Sequence, residues 1–226
     1  MDWWCYVQYF ANPSTPEVRE AMMAGLLGCI ETPKQGNKPV VGAEWCADNG
    51  CFGKGWPGTT AWLDWLKRHT DRRHLCMFAT LPDVVGDAKA TLAHSLPHAD
   101  AVRSLGYPVA LVAQDGLENL PIPWDDFDVL FIGGSTEWKL GPAVRDMACE
   151  ARSAGKRVHM GRVNSLQRLR YADAIGCDTA DGTYITFGPS RNLPHVLGWL
   201  REVNDQCVLG GRVESDYNAN HDQNMI

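Results

Sequence analysis

Two short stretches of the sequence combine carboxylates with glycines. In the stretch 176–182 (Gly-Cys-Asp-Thr-Ala-Asp-Gly), Asp178 and Asp181 stand inside a run that is otherwise typical of a strand. In the stretch 47–52, Asp48 directly follows a strand-like run. Acids at positions where a strand normally buries apolar side chains break a local rule, and such positions indicate functional sites. Two carboxylates on one scaffold suit the breaking and making of a glycosidic bond, because one can attack the anomeric carbon while the other moves a proton.

The pleat of a strand decides between the two acids of the stretch 176–182. Side chains alternate between the two faces, so Asp178 and Asp181 point to opposite sides. Asp181 lies nearer the C-terminal end of the predicted strand and is our predicted nucleophile, whereas Asp178 is predicted to be structural or orienting. Asp48 is the predicted acid/base partner. The ordinary alternatives are a turn-capping or arginine-binding role for Asp181, and a turn role for Asp48, which precedes Asn-Gly.

The same chemistry extends to the N-glycosidic bonds of nucleosides, where the leaving group is a base. The Gln114 amide and the backbone at Gly134 could then read the edge of that base. Other reactions find less support, since the chain has no P-loop and no Gly-x-Ser-x-Gly elbow. Its seven histidines and eight cysteines show no zinc-knuckle spacing, so we predict no metal and no cofactor. Cys51 and Cys177 remain minor alternatives as nucleophiles.

Positioning these residues requires alternating strands and helices. Hydrophobic periodicity predicts strands at 4–10, 40–45, 74–79, 108–113, 127–132, 157–160, 177–181 and 183–187. It predicts helices at 17–29, 60–69, 88–105 (with a break near Pro97), 141–154, 165–175 and 195–203. A repeated strand–helix order indicates parallel strands joined by right-handed crossovers.

The residues that follow the predicted strands favour a closed barrel over an open, doubly wound sheet. Acidic, amide or glycine residues come after successive strands: Asp48, Asp83, Gln114, Gly133, Gly134, Gly161 and Asp181. In a barrel these strand ends meet around one mouth, whereas an open sheet concentrates function at one switch point. We therefore predict an α/β fold, a compact (β/α)8 TIM-like barrel, as a single domain over residues 1–209. Residues 210–226 are expected to form a polar, loosely ordered tail.

Composition limits the partners. The formal net charge of −6 excludes nucleic-acid binding over the whole surface but allows a local basic groove. Candidate phosphate contacts are Lys54, Lys139, Arg162, Arg168, Arg170 and Arg191, and solvated helix faces are an equal alternative for Arg168 and Arg170. No apolar run of about 18 residues and no signal-peptide-like start occur, so we expect a cytoplasmic protein with reduced cysteines and no membrane partner.

Taken together, the motifs between residues 40 and 189 resemble, in order and spacing, those of the tRNA-guanine transglycosylase superfamily. The matching segments are Ala47-Asp48-Asn49-Gly50-Cys51-Phe52, Leu81-Pro82-Asp83, Leu111-Val112-Ala113-Gln114-Asp115-Gly116, Phe131-Ile132-Gly133-Gly134, His159-Met160-Gly161 and 176–181. The resemblance implies a (β/α)8 barrel that exchanges guanine in a polynucleotide through a covalent Asp–sugar intermediate.

The resemblance also implies roles for single residues. Asp181 would be the nucleophile and Asp48 the general acid/base. The other implied contacts are all with the base: Asp83 and Gln114 would recognise it, the backbone at Gly133 and Gly134 would contact the purine O6, and Met160, beside Gly161, would pack on it.

Two departures from the family pattern refine the expectation. The tRNA enzymes of the family have a zinc site of three clustered Cys and a His after the nucleophile, whereas Cys207 is the only cysteine after Asp181 here. The zinc subdomain is therefore expected to be absent, and the chain is short for a tRNA enzyme. Both features, with the run at 82–87, resemble the compact DpdA-type proteins of phages and bacterial modification islands. These insert 7-deazaguanine derivatives such as preQ0 into DNA, so the implied setting is the cytoplasm, that of the host if phage-encoded. Alternatives are action on tRNA, a non-catalytic nucleic-acid-binding accessory barrel, or an N-glycosidase; a homodimer is left open.

Overall fold

Eight short strands, all parallel, close into a barrel in which each strand pairs with the next along the chain and the last pairs with the first. The computed structural model describes residues 6–36, 38–53 and 55–209, with side chains described up to residue 205. The strands are β1 (Gln8–Ala11), β2 (Gly28–Glu31), β3 (Trp45–Ala47), β4 (Cys76–Thr80), β5 (Val109–Ala113), β6 (Val129–Ile132), β7 (Arg157–Met160) and β8 (Thr179–Asp181). The predicted (β/α)8 TIM-like barrel is therefore confirmed.

Helices surround the barrel and occupy most of the connections between strands. They are α1 (Pro16–Met23), α2 (Thr59–Arg68), α3 (Ala88–Ser95), α4 (Ala99–Ser104), α5 (Thr136–Lys139), α6 (Pro142–Ser153), α7 (Leu166–Ala174) and α8 (Pro189–Leu209). The side chains of Thr15 and Ser165 cap α1 and α7 by accepting from backbone N–H groups in the first turn. A 3-10 turn at Leu96–His98 separates α3 from α4, as the break near Pro97 predicts. No helix within the described ranges is long and apolar enough to cross a membrane.

Strand alternation divides the buried side chains into two cores. The inner core fills the barrel with Phe10, Cys46, Phe78, Ala110, Val112, Val129 and Phe131. The outer core lies between the strands and the helices and takes the intervening strand residues, such as Tyr9, Trp45 and Leu130. The phase of each strand, counted from its inner-core residue, decides which side chains at its end face the mouth.

Three of the predicted elements are wrong in part or in whole. The strand predicted at 40–45 is turn and loop up to residue 44, and β3 begins only at Trp45. The other two errors, a missed strand and a strand that does not form, cancel in the strand count.

The helix predicted to reach residue 29 ends at Met23. Two residues later the chain turns at Gly25, whose φ of +72° favours glycine, and the following strand is β2. The strand predicted at 183–187 is a loop with a 3-10 turn at Ile185–Phe187. Because β8 already pairs with β1, the closed barrel has no edge for another strand.

The chain leaves the barrel directly after Asp181. The amides of Thr183 and Tyr184 both donate to Asn164 Oδ1, at 2.8 and 3.0 Å, and so turn the backbone away from the sheet. A side chain at Gly182 would collide with the Tyr9 hydroxyl and with Asn164, so this turn requires glycine. The predicted tail at 210–226 lies outside the described residues.

Candidate active site at the mouth of the barrel

Asp181 is the last residue of β8, and its carboxylate faces the inside of the barrel. In the sheet it stands beside Phe10, whose ring belongs to the inner core. Its Oδ2 lies 2.9 Å from His159 Nε2, and its Oδ1 accepts from the Arg162 backbone N–H at 3.1 Å. With 9% of its surface exposed, the carboxylate is held on both oxygens at the floor of the mouth.

Asp178 has the different place that alternation predicts. Its Oδ2 accepts from the Val158 backbone N–H at 2.7 Å, at the N-terminal side of β8. The contact fixes the strand and leaves Asp178 away from the mouth. Of the two acids in the stretch 176–182, only Asp181 is therefore available for chemistry there.

Asp48 enters the same mouth from the loop after β3. Cys46 points into the barrel, so Asp48, two residues later, also points inward. Its Oδ1 accepts from the Gly50 backbone N–H at 2.5 Å. Burial, together with the charges of Asp181 and Asp83, raises the pKa of Asp48 to about 7, against the opposing effect of the Gly50 hydrogen bond. A carboxyl group with this pKa exchanges protons readily at neutral pH.

A network of amides and one carboxylate forms the neighbouring wall of the mouth. Asp83 accepts from Asn49 Nδ2 at 3.0 Å and from Gln114 Nε2 at 2.7 Å. The Gln114 Oε1 accepts from the backbone N–H groups of Gly134 at 3.2 Å and Gly86 at 3.0 Å. The predicted base-reading groups are thus brought together, and they satisfy one another here, so an entering base would exchange these bonds for its own.

Asn49 is a member of this wall that sequence reasoning missed. Besides holding Asp83, its Nδ2 donates to the Leu81 carbonyl at 2.6 Å, and its backbone N–H donates to Thr80 Oγ1 at 2.8 Å. The residue is 3% exposed. In the sequence, Asn49 next to Asp48 indicates only a turn, whereas in the fold its buried amide ties the ends of two strands together. Burial raises the pKa of Asp83, against the opposing effect of the Asn49 and Gln114 hydrogen bonds.

The predicted glycines line the mouth where there is no room for a side chain. A Cβ on Gly133 would lie 2.9 Å from Val112 Cγ1, and one on Gly161 would lie 2.9 Å from the Phe131 ring. Gly134 has a φ of +56°, and a Cβ there would collide with Trp138. The backbone at these positions therefore forms the bare wall of the mouth.

His159 is the second residue that sequence reasoning missed. It points inward from β7, is completely buried, and has its ring centroid 4.4 Å from that of Phe131 and 4.9 Å from that of Phe78. Its Nδ1 lies 2.8 Å from Thr179 Oγ1, opposite the contact with Asp181. The sequence signal that could have found it is the position of His159, two residues before Gly161, the glycine that follows the strand.

Arg162 extends over the mouth from the loop after β7. It has a φ of +60°, which is uncommon for a residue other than glycine, and its guanidinium donates to the Gly134 carbonyl. The guanidinium carbon lies 4.5 Å from the centre of the exposed Phe52 ring, and the Arg162 carbonyl accepts from Arg168. Arg162 therefore connects three of the loops around the mouth.

Two expectations are corrected by the direction of side chains. Met160 lies next to His159 but points the other way, into the outer core, so it cannot pack on a base in the mouth. Lys139 is fully buried and donates to the Gly161 carbonyl at 2.5 Å, so it is no phosphate contact at the surface. Burial, together with the charge of Arg162, lowers the pKa of Lys139 to about 7.

The remaining candidates have ordinary environments. Burial raises the pKa of Cys51 to about 12, which disfavours a thiolate nucleophile, and Cys177 is buried in the outer core. Arg170 forms an ion pair with Glu202 on the outer surface. Lys54 lies outside the described residues.

Two other features of the described structure are a cavity at the opposite end of the barrel and a pair of histidines. A cavity of about 770 Å³ opens at the N-terminal end of the barrel, lined in part by Glu44, Arg103 and Asp128. His94 and His98 are four residues apart, and their rings pack edge to face with centroids 5.8 Å apart. Among the described residues, no group of three or more His, Cys, Asp or Glu side chains is placed to hold a metal ion.

Comparison with known proteins supports the fold alone. No protein-family model matches the sequence, and no curated protein matches it significantly. A mandelate oxidase mutant with benzaldehyde superposes with a TM-score of 0.60 and 18% identity over 90% of this chain and 74% of its own. A KDPGal structure gives 0.58 and 12% over 90% and 96%, and ligand-free tryptophan synthase from M. tuberculosis gives 0.51 and 11% over 88% and 92%.

Proposed function

We propose that this protein is a base-exchange transglycosylase that replaces guanine in DNA with a 7-deazaguanine derivative such as preQ0. The observation that carries the proposal is the pair of inward-facing carboxylates at the mouth. Asp181 is held on both oxygens, whereas Asp48 has a pKa raised by burial to about 7. Two carboxyl groups in such different environments suit a nucleophile and a proton carrier.

In the first half-reaction, a carboxylate oxygen of Asp181 attacks C1′ of the target nucleoside. The bond between C1′ and the base breaks, its electron pair leaves with guanine, and protonated Asp48 supplies the proton. In the second half-reaction, Asp48 takes a proton from the incoming 7-deazaguanine base. The nitrogen of that base then attacks C1′ and releases the Asp181 carboxylate, so both acids return to their starting state.

The network beside the acids supplies recognition. Guanine and its 7-deaza analogues present a carbonyl and several N–H groups on their edges. The Gly134 N–H is a donor for the carbonyl, and Asp83 is an acceptor for the N–H groups, once Gln114 and Asn49 yield their present bonds. Several bonds are thus exchanged rather than lost, which keeps the cost of opening the network low.

A polynucleotide partner fits the charge at the rim. The Arg162 guanidinium lies at the rim, between the Gly134 carbonyl and the Phe52 ring, and is the group we expect to meet a phosphate next to the target nucleoside. The net charge of −6 limits binding to such a local site. A base inside a duplex cannot reach the mouth, so the target base must flip out. Binding should weaken as salt concentration rises, because phosphate contacts release counterions.

The fold is compatible with catalysis, but it does not choose the reaction. The solved structures that superpose on this chain include a mandelate oxidase, a KDPGal structure and a tryptophan synthase, and barrels of this kind host many chemistries. The choice among reactions rests on the site alone. Retention of both Asp48 and Asp181 argues against a non-catalytic accessory barrel, which has no need of either.

The deciding experiment incubates the protein with duplex DNA and labelled preQ0, with tRNA in parallel, and follows both label incorporation and release of guanine. Incorporation into DNA with equimolar release of guanine is the expected result. Incorporation into tRNA alone assigns the protein to RNA instead. Release of guanine without incorporation identifies an N-glycosidase, and the absence of both with either substrate contradicts the proposal. Asp181→Asn serves as the matched inactive control.

A further inference from the structure

Beneath Asp181 lies an imidazole that no substrate can touch. His159 is completely buried, enclosed by the rings of Phe10, Phe78 and Phe131, and only Asp181 separates it from the mouth. A histidine inside an aromatic core needs polar partners for both ring nitrogens. Thr179 and Asp181 are those partners, at 2.8 and 2.9 Å.

The direction of each hydrogen bond follows from the ionised nucleophile. A carboxylate only accepts, so the proton between His159 and Asp181 belongs to Nε2. In a neutral imidazole Nδ1 then accepts, and its partner, the Thr179 hydroxyl, donates. The result is a directed chain from Thr179 through His159 to Oδ2 of Asp181, while the Arg162 backbone N–H holds Oδ1.

We propose that His159 is a positioning residue: its Nε2–H, oriented by the Thr179 hydroxyl, holds Asp181 in the rotamer from which it attacks C1′. This inference rests on the proposed function for its kinetic consequence, but not for its structural content. Each carboxylate oxygen keeps a free lone pair beside its hydrogen bond, so attack does not require the contact with His159 to break. After attack, the same N–H still binds an oxygen of the aspartyl ester.

Other groups around Asp181 do not replace this contact. The charged or titratable side chains that share its electrostatic environment are Asp48, Lys139, Cys46 and Tyr9, and the Arg162 backbone N–H binds the other oxygen. Among the hydrogen bonds that the described residues make, Oδ2 has only the one from His159. Loss of this donor should therefore free the carboxylate to rotate.

The kinetic test compares His159→Phe with His159→Gln. Phenylalanine keeps the ring and the packing with Phe78 and Phe131 but donates no hydrogen bond, and it should lower kcat by about 10- to 100-fold with KM unchanged. Glutamine places an amide N–H near the position of Nε2–H and should recover most of that loss. A folded His159→Phe variant with kcat within about twofold of wild type contradicts the proposal.

Thr179 provides a second pair of variants in case the histidine variants do not fold. Thr179→Val keeps the shape of the side chain and removes the hydroxyl that orients the imidazole, so kcat should fall by a few-fold. Thr179→Ser retains the hydroxyl and should match the wild type. Equal kcat values for the valine and serine variants contradict the proposed chain. Cooperative thermal unfolding is required of every variant.

A measurement that needs no substrate separates failure of this inference from failure of the proposed function. In protein labelled with 15N-histidine, NMR should show His159 as the neutral tautomer protonated on Nε2, and the Nε2 signal should move in Asp181→Asn. A tautomer protonated on Nδ1, or a signal indifferent to Asp181→Asn, overturns the inference. If the tautomer is as expected but the wild type exchanges no base, the geometry stands and the transglycosylase proposal fails.

Discussion

The two ends of the barrel use carboxylates in opposite ways. At the N-terminal end, Asp128 and Asp178 accept from the backbone N–H groups of Val109 and Val158, at 2.8 and 2.7 Å, and so fix neighbouring strands to each other. At the mouth, Asp48 and Asp181 point into the barrel, and burial together with the charge of Asp181 raises the pKa of Asp48. The same residue type therefore stabilises the sheet at one end and is available for chemistry at the other.

The candidate site does not coincide with the cavity at the N-terminal end of the barrel. The cavity of about 770 Å³ lies at the N-terminal end, where Arg103 is engaged by Asp100, Asp128 and the Asp126 carbonyl. The mouth is partly covered by the Arg162 guanidinium and the exposed Phe52 ring. The direction of polar groups, rather than the size of the empty space, therefore marks the candidate site in this barrel.

The largest expected effect comes from the nucleophile. Asp181→Asn should lower base exchange on the order of 10⁴-fold or more, since a neutral amide cannot form the covalent intermediate. The adduct between protein and sugar, detected by mass spectrometry after denaturation, should disappear while the protein still folds. Full activity in this variant would remove Asp181 from the mechanism.

The next largest effect on base exchange is expected from Asp48, the proton carrier. Asp48→Asn should lower the rate by about 10² to 10⁴-fold, the usual contribution of general acid–base catalysis. The amide still accepts from the Gly50 N–H, so folding should be preserved. Because both protonation states of Asp48 are used, exchange by the wild type should be fastest near pH 7 and fall on either side. A loss of less than about tenfold would assign the acid/base role to another group.

A substitution at the N-terminal end of the barrel should lower stability and leave activity unchanged. Asp178→Ala leaves the Val158 N–H without its partner and should lower the free energy of unfolding by about 1–3 kcal/mol, measured by denaturant titration. Its kcat for base exchange should equal that of the wild type, because the side chain does not reach the mouth. A stable but inactive Asp178→Ala variant would contradict the division between the two ends.

The smallest expected effect concerns stability at the mouth itself. The pKa of Asp48 is raised in the folded protein, so its contribution to stability is fully present below about pH 4, the ordinary pKa of Asp, and is lost as pH rises through about 7. Asp48→Asn should therefore raise Tm by a few degrees at pH 8 and change it little at pH 4. The opposite pH dependence in thermal unfolding would show that Asp48 ionises without cost in the fold.

Much of the fold could be predicted because its signals are local. Strand β7 lies at Arg157–Met160, the residues that periodicity predicts, and α7 begins at Leu166, one residue from the predicted start at 165. Strand β2 was hidden because its four residues follow a helix closely and have no alternation of their own. Such a segment becomes a strand only when its neighbours offer hydrogen-bonding partners on both sides.

The candidate site, too, could be predicted from the sequence only in part. By itself, the sequence determined a repeated strand–helix order, which residues follow each strand, and the choice of Asp181 over Asp178, since these depend on chain direction and on the period of two in a strand. Only the tertiary structure decided that His159 lies under Asp181 and that Met160 points outward. Those relations depend on the phase of each strand and on barrel closure, which brings side chains from distant parts of the sequence to the same hydrogen bond.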